Sequence, residues 1–356
     1  MRSRPAPAVF LTLVCLAAAA QGADWPAWRC DAGHTAQTFH ELPPTLHLQW
    51  VRQYTRRVPV WDDPLNQDMM PYDRIFEPVV AGGLMFVGFN DADKVVALDV
   101  ASGAEVWSFY ADGPVRFSPV VHKGSIYVAS DDGYLYCLAA ADGTLRWRFR
   151  GGPSERRVIG NRRVISSWPA RGGPVVADDT VYFAASIWPF MGTFIYALDA
   201  ETGAVRWLND DTSAEFQKQP HSAPSFAGVA PQGQLAVAGD LLLVPGGRSL
   251  PTGFDRHTGK LRFFNFGGKG EGGSFVAADD KRAFVHTRVR GTMELSLPEG
   301  KATKFRTNEP VLAGNLLYTA VDAKAATAKA QATPAMVAGC DRAGKTVGQV
   351  EADAGG

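Results

Sequence analysis

Leu98-Asp99-Val100-Ala101-Ser102-Gly103-Ala104-Glu105-Val106-Trp107 decides how this chain is read, because the chain repeats it. Counterparts run from Leu138 to Trp147, from Leu198 to Trp207 and from Phe254 to Phe263. The leading apolar residue and the closing aromatic stand nine positions apart in every copy. A strand, a tight turn holding a glycine and a second strand account for that spacing. Gly103, Gly143, Gly203 and Gly259 occupy the reversal, where a positive φ is cheap only without a Cβ. Asp, Ser or Thr just ahead of the glycine can bond the turn's own backbone.

Upstream of each copy lies a second recurrent stretch. Pro78 to Val87, Pro119 to Val128, Pro174 to Phe183 and Pro310 to Tyr318 each read as an apolar start, a turn and an aromatic strand. Joined to the opening phrase, this makes four short strands in about 40 residues, the size of one propeller blade. Six units follow, near 77–110, 117–149, 172–207, 223–264, 272–300 and 309–350. The last two are degraded; the fifth has Leu295-Ser296-Leu297-Pro298-Glu299-Gly300 in place of the phrase. The expected fold is all-β, a β-propeller of four-stranded blades, closed with six units or an incomplete seven- or eight-bladed disc. Trp107, Trp147 and Trp207 are expected to dock blades, each burying roughly 150–250 Å2 against its neighbour. Leu46-His47-Leu48-Gln49-Trp50 reads as a lone outer strand that completes the last blade of a ring. The short remainder after the sixth unit favours a truncated version of a larger ring.

Bulk properties exclude some classes of function. Lys plus Arg and Asp plus Glu both number 36 in 356 residues, so the chain lacks the basic excess of a nucleic-acid binder. Arg2 and Arg4, the apolar run Val9 to Ala20 and the small-residue site Ala20-Gln21-Gly22 read as a signal peptide over residues 1–22. The repeat domain then spans 23–356 and is expected in the periplasm or secreted. The leading apolar run is too short and alanine-rich for a transmembrane helix. Without Cys15, the cysteines are Cys30, Cys137 and Cys340; an odd number excludes a full disulfide framework.

Several short motifs dissolve into the repeat. Asn90-Asp91-Ala92-Asp93 suggests a hard-cation loop but aligns with the hairpin turn at Asp131-Asp132-Gly133. Gly339 to Thr346 matches a phosphate loop letter by letter, yet aligns with the repeat turn at Asp255 to Lys260. Gly268 to Gly273 fits a dinucleotide fingerprint without a βαβ context. Cys30-Asp31-Ala32-Gly33-His34 offers a thiol and an imidazole, with no second pair at metal-ligand spacing, so no metal site is expected.

What remains lies between the strands. Tyr54 to Ile75, Gly151 to Arg171, Ile187 to Thr193 and Asn209 to Gln234 are insertions that should project from the disc faces, where binding surfaces are built. Arg116, Arg156, Arg157, Arg162, Arg163 and Arg171, with Trp168 and Trp188 nearby, form a cationic, aromatic candidate surface. His221 and Arg248 fall in comparable loops of the fourth unit. Such a surface suits a protein partner or a small ligand, a glycan or an acid among them; the competing reading is a solvated rim with structural ion pairs.

The phrase, clearest at Leu198 to Trp207, resembles the quinoprotein (PQQ-like) β-propeller repeat. Asp24-Trp25-Pro26-Ala27-Trp28-Arg29 with Leu46 to Trp50 is similar to the opening of exported PQQ-like repeat proteins. The resemblance covers roughly residues 24–350 and implies an eight-bladed disc. It also implies one of two functions: a dehydrogenase using pyrroloquinoline quinone (PQQ) and Ca2+, or a non-catalytic role like that of the BamB group. The dehydrogenase branch implies two adjacent cysteines, calcium ligands from carboxylate and amide oxygens, and an aspartate base. This chain has no Cys-Cys pair and no matching Glu/Asn/Asp set. The expectation is an exported, non-catalytic scaffold or binding protein that holds no cofactor. The alternatives are a quinone-dependent alcohol or sugar dehydrogenase with a degenerate PQQ and Ca2+ site, or the sensor part of a longer protein.

Overall fold

A computed structural model describes residues 24–54, 77–160, 163–218, 222–268, 271–287, 291–306, 310–314, 316–321, 336–340 and 346–351. The signal-peptide segment, His221 and Arg162 lie outside them. Among the described residues, six antiparallel sheets of four sequential strands follow one another along the chain. They span Val79–Tyr110, Val120–Arg150, Gly172–Asn209, Ala236–Phe263, Val276–Arg306 and Val311–Glu351, and are numbered as blades 1 to 6. Blade 3 gains a fifth strand, Gly233–Gln234, parallel to Gly172–Gly173. Two small hairpins, Arg157–Gly160 with Arg163–Ser166 and Phe216–Lys218 with Pro224–Phe226, stand outside the blades. Blade 4 therefore begins at Ala236; residues 223–226, assigned to it from sequence, belong to the second hairpin.

The core lies between blades. Strands such as Lys94–Asp99, Tyr134–Ala139 and Phe194–Asp199 bury their four central residues because both faces of the sheet are covered. Phe86, Val95 and Ala97 of blade 1 meet Ile126, Val128 and Leu138 of blade 2. Alternate residues of blade 2, including Leu135 and Cys137, meet Val181, Phe183 and Leu198 of blade 3. The same alternation joins blades 3 and 4, 4 and 5, and 5 and 6. Period-two side-chain placement thus makes each sheet half of two cores.

A repeated bulge between the third and fourth strands marks the phrase. It falls between Ala97 and Leu98, Cys137 and Leu138, Ala197 and Leu198, Gly253 and Phe254, Glu294 and Leu295, and Gly339 and Cys340. The degraded fifth unit keeps it, with Gly300 at φ +66°. Around Gly339–Thr346 the flanks are paired strands, with Cys340 opposite Thr346. A phosphate loop would lead into a helix instead.

Trp107 Nε1 donates to the Ala140 carbonyl at 3.0 Å, Trp147 to Glu201 at 2.9 Å and Trp207 to Arg256 at 2.9 Å. Each ring covers the turn glycine of the next blade; a Cβ on Gly143, Gly203 or Gly259 would stand within 2.5–2.9 Å of it. Trp50 treats Gly103 in the same way and donates to Val100 at 2.8 Å. The Leu46–Trp50 stretch, expected as a strand, carries no strand pairing; its tryptophan docks without it.

The segment Asp24–Gln37 visits the free inner edges of the first strands in blade order. Trp25 exchanges two backbone bonds with Val80, at 2.7 and 2.8 Å. Val121 N–H donates to Pro26, Val237 to Ala32 and Ala278 to Gly33, each at 2.7 Å, and Leu312 to Thr35 at 2.8 Å. These five donors share one register position, opposite Met85, Ile126, Leu242, Ala283 and Leu317. At its two ends, Asp24 accepts from the Gly82 N–H and Gln37 from the Gly314 N–H. Asp31 ties the segment internally by accepting from Gly33 and Thr35.

Candidate functional site

Loops between second and third strands share one face with the links between blades, because antiparallel strands put alternate connections at the same end. Bonds such as Asp131 N–H to Pro114 and Ser166 N–H to Asp131 confirm the grouping. All the described insertions after residue 150 open on this face: the Gly151–Arg171 link, the 186–193 loop and the Asn209–Gln234 link.

At the base of the face sits Asp131, 1% exposed and clasped by two guanidinium groups. Arg116 Nε donates to Oδ2 at 2.6 Å; Arg171 donates through Nε at 2.5 Å and Nη2 at 2.9 Å. Adjacent Asp132 accepts from the Tyr136 hydroxyl at 2.6 Å, and burial pushes its carboxyl above the usual range. Arg163 donates to the Asp91 carbonyl and pairs with the Asp93 carboxylate. Burial raises Asp93 too, against the pull of Arg163. Arg157 reaches Asp112 at 3.3 Å in an exposed pair. These arginines pin the Arg157–Ser166 hairpin and its link onto blades 1 and 2.

The sequence-derived candidates therefore separate. Arg116, Arg163 and Arg171 are committed to carboxylates inside the protein. Trp168 is buried, and its Nε1 donates to Met191 at 2.8 Å, supporting the 186–193 loop. Arg156, Arg157 and Arg248 are exposed, and Trp188 is half-buried.

Sequence reasoning missed the apolar content of the same insertions. Ile159 and Val164 face each other across the first hairpin, 76% and 55% exposed. Their neighbours Val158 and Ile165 are turned inward, Ile165 fully. Phe216 and Phe226 face each other across the second hairpin, 64% and 50% exposed, with rings 5.3 Å apart. On the loop between them in sequence, Phe190 is 65% exposed and stacks on Trp188. Three insertions of one face thus each present apolar side chains to solvent, a pair on each hairpin and Phe190 on the loop. The signal was the apolar residues Val158-Ile159, Val164-Ile165, Phe216 and Phe226 inside segments read as loops.

The opposite face holds a polar cavity of about 430 Å3 between blades 2 and 3. Its charges neutralise one another: Lys123 and His122 both bond Asp179, whose carboxyl they hold below the usual range. Arg206 pairs with Asp199.

The described residues do not fit a quinone–calcium site of the kind the dehydrogenases need. Among them, no three His, Cys, Asp or Glu side chains converge as metal ligands. Of the buried carboxylates on the insertion face, Asp131 is saturated by arginine and Asp132 accepts from the Tyr136 hydroxyl and two backbone N–H groups. Cys137 lies in the core between blades 2 and 3, and Cys30 in the segment Asp24–Gln37. No described helix is long and apolar enough to cross a membrane.

These repeats and their packing give the chain a β-propeller fold whose repeats are similar to the PQQ-like kind. Residues 49–207 match the family model described as outer membrane protein assembly factor BamB. The BamB of Burkholderia pseudomallei is 27% identical over 258 residues, 60% of this chain and 63% of that protein. The dehydrogenase subunit of a quinone alcohol dehydrogenase from Gluconobacter oxydans is 30% identical over 142 residues, 36% of this chain and 18% of that one. Tetrathionate hydrolase of Acidithiobacillus ferrooxidans is 27% identical over 163 residues, 45% of this chain and 30% of that one. The chain thus spans less than two thirds of each of these relatives. Among solved structures, BamB from Moraxella catarrhalis aligns with TM-score 0.50 and 17% identity over 76% of this chain and 74% of that one. Quinohemoprotein alcohol dehydrogenase from Comamonas testosteroni aligns with TM-score 0.56 and 15% identity over 92% and 67%. At these identities the likeness concerns the fold.

Proposed function

We propose that this protein is an exported propeller that binds a protein partner through its insertion face and performs no chemistry of its own. The observation that carries the reading is the set of three apolar pairs on insertions of one face, Ile159/Val164 and Phe216/Phe226 exposed and Phe190 exposed beside a half-buried Trp188. Interfaces are distinguished by aromatic residues and arginine at their centre. Arg156, Arg157 and Arg248 supply exposed cations on the same side. The BamB relatives, which are assembly factors by name, are consistent with a scaffold role.

Photo-crosslinking tests this. A crosslinker placed at Ile159, Phe190 or Phe216 in expressing cells should join one common partner. One placed at Lys123 on the opposite face should not. Equal labelling at Lys123, or none at the three insertions, sinks the proposal. The rival is a quinone dehydrogenase, supported by the alcohol dehydrogenase relatives. Purified protein given PQQ and Ca2+ should reduce no dye with alcohols or sugars; turnover would overturn the non-catalytic reading.

A further inference from the structure

The segment Asp24–Gln37 meets the blades as a ligand meets a site. Its carbonyls take single hydrogen bonds from N–H groups at one register position of five first strands, on edges with no other strand to pair. An unpaired strand edge is a ready template for an added chain. The rim also reads side chains. Trp28 packs edge-on against Phe275 of the rim at 5.1 Å, backed at 4.7 Å by His34 of its own segment. Arg29 lies over the Phe275 ring and reaches the Pro310 carbonyl. Ala32 enters the core between blades 3 and 4. Gly33 has no room for a side chain, since a Cβ would stand 2.7 Å from the Ala278 carbonyl oxygen. The stretch 38–49 that leads away is exposed and carries no strand, so the covalent link constrains the segment little.

We infer that the inner rim of the disc is a peptide-binding site, filled by the chain's own Asp24–Gln37. The ligand it takes is a turn-rich, Trp- and Pro-bearing peptide, with left-handed residues such as Arg29, Cys30 and His34, that presents successive carbonyls to the rim. This site is separate from the insertion face and stands whether or not that face binds a partner.

The test uses the full chain with a protease site inserted after Glu41. After cleavage, the freed N-terminal peptide should co-elute with the disc in gel filtration. A fluorescent synthetic peptide of residues 24–37 should exchange into the cut protein, while the same peptide carrying Gly33→Val should not. Separate elution of the cut peptide overturns the inference, as does equal uptake of the Gly33→Val peptide. The uncut chain gives an independent reading by hydrogen exchange. The amides of Val80, Val121, Val237, Ala278 and Leu312 should exchange at least roughly tenfold more slowly than the amide of Val176, the equivalent position in blade 3, to which the segment makes no bond among the described residues. Equal rates overturn it.

Discussion

The indole of Trp50 lies on Gly103 as that of Trp107 lies on Gly143; a Cβ on either glycine would stand 2.6 or 2.7 Å from the ring. One rule therefore runs from before blade 1 to blade 5, where Phe263 covers Gly300. Two demands fall on each glycine: a positive φ and a flat surface for an aromatic ring. Gly124 isolates them, because its φ of +72° matches the +74° of Gly143 while nothing lies within 4 Å of its missing Cβ. Gly124→Ala should cost about 1 kcal/mol from backbone strain alone. Gly143→Ala should cost roughly 2–4 kcal/mol, since strain and overpacking add. Urea midpoints of the two variants measure the difference; equal losses would mean that the tryptophan does not bear on the glycine.

Asp131 makes a second prediction. Asp131→Asn leaves two guanidinium groups facing a neutral amide in a buried site, and should cost roughly 3–5 kcal/mol. Replacing the trio together, with Arg116→Met, Arg171→Met and Asp131→Leu, should recover most of that loss, because it is the broken pair that is expensive. Thermal unfolding of both variants decides it. A harmless Asp131→Asn would show that the cluster is not holding the insertion links.

His34 predicts a pH dependence. It is buried, its Nδ1 faces the Val276 carbonyl at 2.7 Å, and burial lowers its pKa from 6.5 to about 4, with Arg29 adding to the effect. The unfolded chain therefore holds a proton that the folded chain refuses between about pH 6.5 and 4. This contribution to stability is intact above pH 6.5, falls as the pH drops towards 4, and changes no further below. The gap between 6.5 and about 4 is worth at most ~3 kcal/mol. His34→Asn keeps a donor and tolerates the positive φ of +60° at this position. The stability difference between wild type and His34→Asn should shrink on acidification across that window. A difference that stays constant would refute a neutral, buried His34.

The exposed phenylalanines predict an effect on binding without one on folding. Phe216→Ser with Phe226→Ser removes an apolar pair that buries little within the monomer, so stability should move by under about 0.5 kcal/mol. Binding of a hydrophobic dye, and crosslinking from Phe190, should both fall. A large loss of stability would assign the pair to the protein's own packing.

Blade architecture was legible in the sequence because it repeats. The Leu-to-Trp spacing carries turn, bulge and docking residue in ten positions, and six sheets follow it. Fragments of the site were legible for the wrong reason. Arg116 and Arg171 stood out as cations, but their partner Asp131 lies in a hairpin turn whose sequence announces only a turn. Phe216 and Phe226 were hidden because two three-residue strands leave almost no periodicity to detect. The path of residues 24–37 was invisible for a deeper reason. It is bound through backbone carbonyls, which every residue has, so no side-chain pattern spells it out.

That path has a consequence for how such a molecule can change over generations. The carbonyls of Trp25, Pro26, Ala32, Gly33 and Thr35 are met by blades 1, 2, 4, 5 and 6 in that order. Arrays of near-identical units can gain or lose a member while each unit still has its neighbours. Here a duplicated or deleted unit would leave every carbonyl downstream of it facing the wrong strand. The short stretch thus acts as a ruler laid across the blades it meets, in which the order of carbonyls matches the order of units.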